Sequence, residues 1–311
     1  MTTRIIETHC HPVGASPVTE NLGDKIKTLA DKISLNSRYP EILRGRIDLD
    51  PVDITDDLIK TMDKHGVSHA IIQQTTGKAS DDLVAETVKK HPDRFFGLLK
   101  LQRTSDITNH PPSEEELPYY RARAAEEVIR GVEKLGLIGV GEFFTRGFTI
   151  ETQPEKIARD MKPVMDVVAK YEIPIQIQTA WTQFPHTLFY GDPVWVDEIA
   201  YEYPKVPVIL TKMGRSTHHF ETALMVALRN VNVYFDIVDS CPEHIRRAVD
   251  GIGADRIMFG TDWCPTTRWI SQPMDCYSTH KKLLDDAGLT PSQREQIEWK
   301  TAVKVFRLNL K

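Results

Sequence analysis

Eight short apolar runs alternate with amphipathic stretches along this 311-residue chain, and that alternation restricts its fold more than any other feature. The runs are RIIETH, VSHAIIQQ, RFFGLLKLQ, LIGVGEFF, IPIQIQT, VPVILTK, VNVYFDIV and RIMFGTD. Stretches such as ITDDLIKTMDKHG, DDLVAETVKKHPD, YRARAAEEVIRGVEKLG and EKIARDMKPVMDVVAKY lie between them, with apolar residues at helical spacing. Eight strand–helix units in one chain of this length predict an α/β fold of the (β/α)8 TIM-barrel type. A doubly wound open sheet is the alternative, but no glycine-rich phosphate loop follows the first run, which argues against a dinucleotide fold.

The chain reads as a single domain over residues 1–311, with no low-complexity linker and no short repeat. Two segments are too long for simple turns. Residues 13–50 follow the first predicted strand and residues 180–195 the fifth. In a barrel both emerge at the C-terminal face and would cover a substrate. A net charge of -5 without a basic block excludes nucleic acid and anionic membrane as natural partners. No apolar run has membrane-spanning length, and the first residues lack a signal-peptide pattern. The four cysteines are scattered without paired spacing, as expected of reduced thiols in a cytoplasmic protein.

The first predicted strand carries Glu7, His9 and His11 within five residues. Strict strand alternation puts all three on one face and Cys10 on the other. Two imidazoles at that spacing reach one metal ion, and neutral imidazole suits zinc and similar ions. The alternative is a pair of hydrogen-bonded core histidines. Asp262 ends the eighth predicted strand, which lies beside the first in a closed barrel. A carboxylate there could ligate the ion or move a proton; a turn aspartate is the plainer reading.

Taken together, these two ends resemble the amidohydrolase superfamily, in the branch of aminocarboxymuconate semialdehyde decarboxylase-like enzymes. The Asp/Glu-x-His-x-His signature stands here as Glu7-Thr8-His9-Cys10-His11. GVSHAIIQ, HPDRFFGL, GADRIMFGTDWCP and TAVKVFRLNL are similar to the same branch, with Thr301 where Asn is usual. The resemblance implies a barrel with one divalent metal, usually zinc, at its mouth. It also implies hydrolysis or non-oxidative decarboxylation of small carboxylated, often aromatic, substrates.

The chain departs from that pattern at two strand ends. Gln178 stands where the fifth strand usually supplies a metal-binding His, and Lys212 stands at the sixth strand's usual His. An amide oxygen is a poor zinc ligand, so Gln178, with Gln176 in the same phase, is expected to meet substrate. A lysine ammonium cannot ligate, but it can hold a carboxylate or an oxyanion. Glu142 is a candidate replacement ligand, read as in phase with Ile138 and Val140. TatD-like nucleases of the superfamily use a fourth-strand Glu in this way. The expected metal set is therefore His9, His11, Glu142 and Asp262, and a metal-free member is the alternative.

Asp262, Lys212 and His218 are the catalytic candidates; Gln176, Gln178, Lys212, Arg215 and Trp181 are the substrate-binding ones. Trp181 and the other aromatics of 180–195 could stack on a ring, pack the loop, or join copies of the chain as a homo-oligomer. The leading expectation is hydrolysis through metal-activated water. The alternatives are decarboxylation of a small aromatic acid and a degenerate barrel that binds without turnover.

Overall fold

A computed structural model of the chain describes residues 4–15, 52–74, 80–101, 113–180, 186–263 and 275–310. The eight expected strands are β1 (Ile5–Ala15), β2 (Val67–Gln74), β3 (Phe95–Gly97), β4 (Val140–Phe143), β5 (Ile175–Gln178), β6 (Val208–Thr211), β7 (Val233–Asp236) and β8 (Ile257–Met258). β1, β2 and β3 pair in parallel, as do β4 through β8 in order. Parallel bridges Leu99–Val140 and Cys10–Trp263 join the two sets. The Thr8 amide also donates to the Phe259 carbonyl at 2.9 Å. These contacts close the ring into a (β/α)8 barrel. A two-residue strand, Val52–Asp53, pairs antiparallel with the end of β1.

Helices α1 (Thr55–His65), α2 (Asp81–Lys90), α3 (Leu117–Glu133), α4 (Pro154–Tyr171), α5 (Val196–Glu202), α6 (Thr217–Arg229), α7 (Pro242–Ile252) and α8 (Cys276–Asp286) cover the barrel. α4 is representative. Pro154 opens it where a missing amide hydrogen matters least, and Ile157, Met161, Val164, Met165 and Val168 form its buried stripe. No helix is long and apolar enough to cross a membrane among the described residues.

Alternation divides the apolar residues between two cores. Residues such as Val208 and Leu210 join the helices in the outer core, while Ile6, Ile71, Leu98, Ile209, Tyr234 and Met258 form a second cluster inside the ring. Ala302, Val305 and Phe306 of the C-terminal helix Thr301–Phe306 pack on this second cluster and form a floor. Amides rather than alkyl groups span the interior elsewhere. Gln73 donates to Gln176 at 3.2 Å, and Gln176 donates to the Thr8 carbonyl at 2.7 Å. Gly141 makes room for this layer. A β-carbon there would stand 2.2 Å from Gln73 Oε1 and 2.7 Å from Leu98 Cβ. Gly141→Ala is therefore expected to destabilise the fold by about 1–3 kcal/mol in urea unfolding.

Two strands depart from strict alternation. Glu7 pairs with Ala70, Cys10 with Ile72 and Val13 with Gln74, so three residues of β1 twice oppose two of β2. In β4, Val140 pairs with Ile175 and Phe143 with Ile177, again three against two. The result corrects the expected phases. Glu7 does not share a face with His9 and His11; it follows Cys10 and Val13 outward, within electrostatic reach of Tyr277 on α8. Val140 faces the outer core, and the bulge turns Glu142 inward.

Asp81, at the start of α2, joins two strand ends. One carboxylate oxygen accepts from Gln74 Nε2 at 2.6 Å and from the Lys100 amide at 2.9 Å. Burial pushes its carboxyl up to about 6, against the lowering effect of these bonds. A raised acid favours the protonated native state. This contribution is present below about pH 4 and is lost as pH rises through about 6. Asp81→Asn keeps an oxygen acceptor and removes the buried charge. It is expected to gain about 1–2 kcal/mol at pH 7 and nothing at pH 4, read by urea unfolding at both values.

Candidate active site

The side chains that the sequence singled out at the strand ends converge at one end of the barrel. His9 Nε2 lies 3.6 Å from Glu142 Oε1 and 3.8 Å from Asp262 Oδ1. His11 Nε2 lies 3.6 Å from Glu142 Oε2 and 3.3 Å from Asp262 Oδ1. Ligating atoms of His9, His11 and Glu142 all fall within 4.8 Å of one another. Lys212 Nζ sits between the two carboxylates, 3.2 Å from Glu142 and 2.7 Å from Asp262. Glu142 and Lys212 are buried, whereas the Asp262 side chain is 28% exposed and forms the open side of the cluster.

Each histidine is oriented through its other nitrogen. His9 Nδ1 is 2.8 Å from Asp236 Oδ2, and His11 Nδ1 is 3.1 Å from the Gln74 carbonyl. Acceptors at Nδ1 turn both Nε2 atoms toward the carboxylates, the arrangement that metal-ligating histidines use. Nε2 of His9 is buried and has no hydrogen-bond partner. That atom, its neighbours and the two-nitrogen, carboxylate donor chemistry fit a divalent ion.

Charge holds the cluster together. Burial alone would push the Glu142 and Asp262 carboxyls up, but the Lys212 ammonium and the histidines hold both well below the usual carboxylate range. Burial opposes the Lys212 charge, and Asp262 and Glu142 outweigh it, so its proton is held more firmly than that of an ordinary lysine. Burial and Lys212 depress His9, yet the Glu142 and Asp236 carboxylates raise it to about 10. Backbone strain is concentrated at the same place. Glu142, Lys212 and Asp262 have φ of 24°, 67° and 54°, a region that side chains with a β-carbon rarely occupy.

The amidohydrolase family model matches residues 6–308. The chain belongs to the amidohydrolase family. A gamma-resorcylate decarboxylase from Polaromonas sp. is 24% identical, with 87% of this chain and 91% of the relative covered. A dihydroxybenzoic acid decarboxylase structure from Polaromonas sp., described with bound manganese, is 19% identical with a TM-score of 0.61, covering 99% and 98% of the two chains. A 4-oxalomesaconate hydratase structure from Rhodopseudomonas palustris is 17% identical with a TM-score of 0.64, covering 97% and 95%. This member of the amidohydrolase family is thus an enzyme whose neighbourhood holds carboxy-lyases and a hydratase.

The two departures from the family pattern stand at strand ends, as the sequence indicated. Lys212 follows β6 and enters the cluster. Gln178 ends β5, is buried, and leaves its Nε2 without a partner. Gln176, expected among the substrate contacts, instead bridges Gln73 and Thr8 inside the barrel. Arg215 pairs with Asp239 at 2.7 Å, close enough to Lys212 to act on its charge. His218 lies in a different group, with Asp192 and His219. Trp181 falls outside the described residues, with most of segments 13–50 and 180–185. Trp195 of the same loop is buried and donates to the Tyr190 carbonyl at 2.9 Å, so it packs the loop down.

Asp236 joins the site without being marked by any sequence motif. One of its oxygens meets His9, and the other accepts from the Lys212 amide at 2.7 Å and the Val238 amide at 3.2 Å. The available signal was a carboxylate closing the apolar run VNVYFD, at the barrel face where sites are built.

Proposed function

We propose that this member of the amidohydrolase family is a metal-dependent non-oxidative decarboxylase of a small hydroxylated aromatic acid. The observation that carries the reading is the Asp262 carboxyl, 2.7 Å from a fixed ammonium and open to the mouth beside two metal-competent imidazoles. The decarboxylases among the similar proteins favour carbon–carbon cleavage over the hydrolysis that the sequence put first. His9, His11, Glu142 and Asp262 would hold the ion. Zinc and manganese both suit this nitrogen and oxygen set. When bound, the ion supplies Lewis-acid stabilisation of negative charge on the substrate's oxygens.

The chain's own residues account for the proton. Asp262 is a carboxylate before substrate arrives, so it acts first as a base and takes the proton of a ring hydroxyl. The resulting oxyanion pushes electron density into the ring. Asp262 then delivers the same proton to the ring carbon that bears the carboxylate. The carbon–carbon bond breaks, its electron pair returns to the ring, and carbon dioxide leaves. The hydroxy acid monoanion becomes a phenolate and carbon dioxide, so atoms and charge balance. Lys212 stays protonated throughout and steadies Asp262 and the developing charge. Gln178 Nε2 is a free donor for a substrate oxygen, and Arg215 offers a second cation for its carboxylate.

The test is incubation of manganese- or zinc-loaded protein with 2,6-dihydroxybenzoate and with a lactone dicarboxylate. Carbon dioxide released in step with loss of the aromatic acid is expected. Ring opening of the lactone without carbon dioxide from the acid would instead establish a hydrolase.

A further inference from the structure

A second group of metal-competent side chains lies outside the cluster at the strand ends. Ligating atoms of Asp192, His218 and His219 fall within 4.8 Å of one another. Asp192 caps the 3-10 turn Pro193–Trp195, accepting from the Val194 amide at 3.0 Å through Oδ1. That bond leaves Oδ2 for another partner. Trp195 anchors this turn in the outer core. The histidines stand in the first turn of α6, which Ser216 caps by accepting from the His219 amide.

An independent feature points to a ligand. His219 is 4% exposed, and its Nδ1 is buried with no hydrogen-bond partner. A buried ring nitrogen left unmet is destabilising, and a ligand at that position would relieve it. His218 is exposed and its ring lies 5.5 Å from that of His219, so it can rotate without disturbing the core. Ligand bonds of about 2.1 Å put tetrahedral ligand atoms about 3.4 Å apart, so the three side chains need close by little more than 1 Å. The α6 N-terminus disfavours a cation, and the Asp192 carboxylate offsets that.

We propose that Asp192, His218 and His219 form a second divalent-metal site, of the zinc class, with a fourth position open to water. Two imidazoles and a carboxylate select zinc or cobalt over magnesium or calcium. The ion would clamp the segment after β5 to the start of α6. Its effect would reach the turn that carries Lys212, because Gly214 packs directly on His219: a β-carbon at Gly214 would stand 2.5 Å from the His219 carbonyl carbon. The site shares no residue with the cluster of His9, His11, Glu142 and Asp262, so it stands or falls independently of the proposed reaction.

The experiment is cobalt(II) titration of the full, metal-stripped chain, followed by d–d absorption and by metal analysis after desalting. His218→Ala and Asp192→Asn are compared with the unaltered chain. Each is expected to lose one equivalent, or to bind it at least about tenfold more weakly, whatever the other site takes up. His218 is exposed and Asn can still cap the turn, so both variants are expected to fold, checked by thermal unfolding. The proposal is overturned if both variants fold and their cobalt stoichiometry and spectrum match those of the unaltered chain.

Discussion

Lys212→Met is expected to lower the stability of metal-stripped protein by about 3–5 kcal/mol, and metal loading is expected to restore most of it. Lys212 is buried and is the cation shared by Glu142 and Asp262. Methionine fills a similar volume but leaves two carboxylates facing each other beside His9, the arrangement whose cost is largest when one partner of a buried pair is removed. In calorimetry the stripped variant should melt about 5–8 °C below the unaltered chain. A divalent ion brings the missing charge to the same carboxylates, so manganese or zinc should raise the variant's melting temperature more than it raises that of the unaltered chain. Equal shifts for both chains would mean that Lys212 is not the cation balancing the cluster.

The sequence carried the barrel plainly, because each strand buries at least one face and reads as an apolar run. The bulges were not legible. Nothing in ETHCHPV marks that three residues will span the length of two, so alternation alone groups Glu7 with His9 and His11, whereas the bulges separate it from them. Glu142 lies on the strand that the sequence indicates, but the register shift in β4, not alternation, turns it inward. Lys212 and Gln178 were visible as departures from a known pattern, whereas Asp236 read only as the end of a strand. Its role depends on a contact with His9 across 227 residues, and spacing in the sequence carries no trace of such a pairing.

Asp262→Asn is expected to reduce turnover by about 10³–10⁴-fold while the fold persists. Asparagine keeps the shape and still accepts from Lys212, but it cannot take a proton from a ring hydroxyl and return it to a ring carbon. Stability should fall by less than in Lys212→Met, because the side chain is partly exposed and Glu142 still pairs with the ammonium. On protein with its metal content verified, the kinetic signature is a collapse in kcat with KM changed far less, since the role proposed for Asp262 is at the reacting proton while other groups bind the acid. A loss confined to KM would make Asp262 a binding residue and would move the proton transfer elsewhere.

Metal rescue of Lys212→Met and the turnover lost in Asp262→Asn both rest on a divalent ion binding between the first-strand histidines and the carboxylates of Glu142 on β4 and Asp262, four residues past β8. Crystals of manganese-loaded protein, with data collected on both sides of the manganese absorption edge, test it most directly. An anomalous peak is expected about 2.1 Å from Nε2 of His9 and of His11, with a carboxylate oxygen of Glu142 or Asp262 in its coordination shell. Ordered density for those side chains with no peak among them would contradict it.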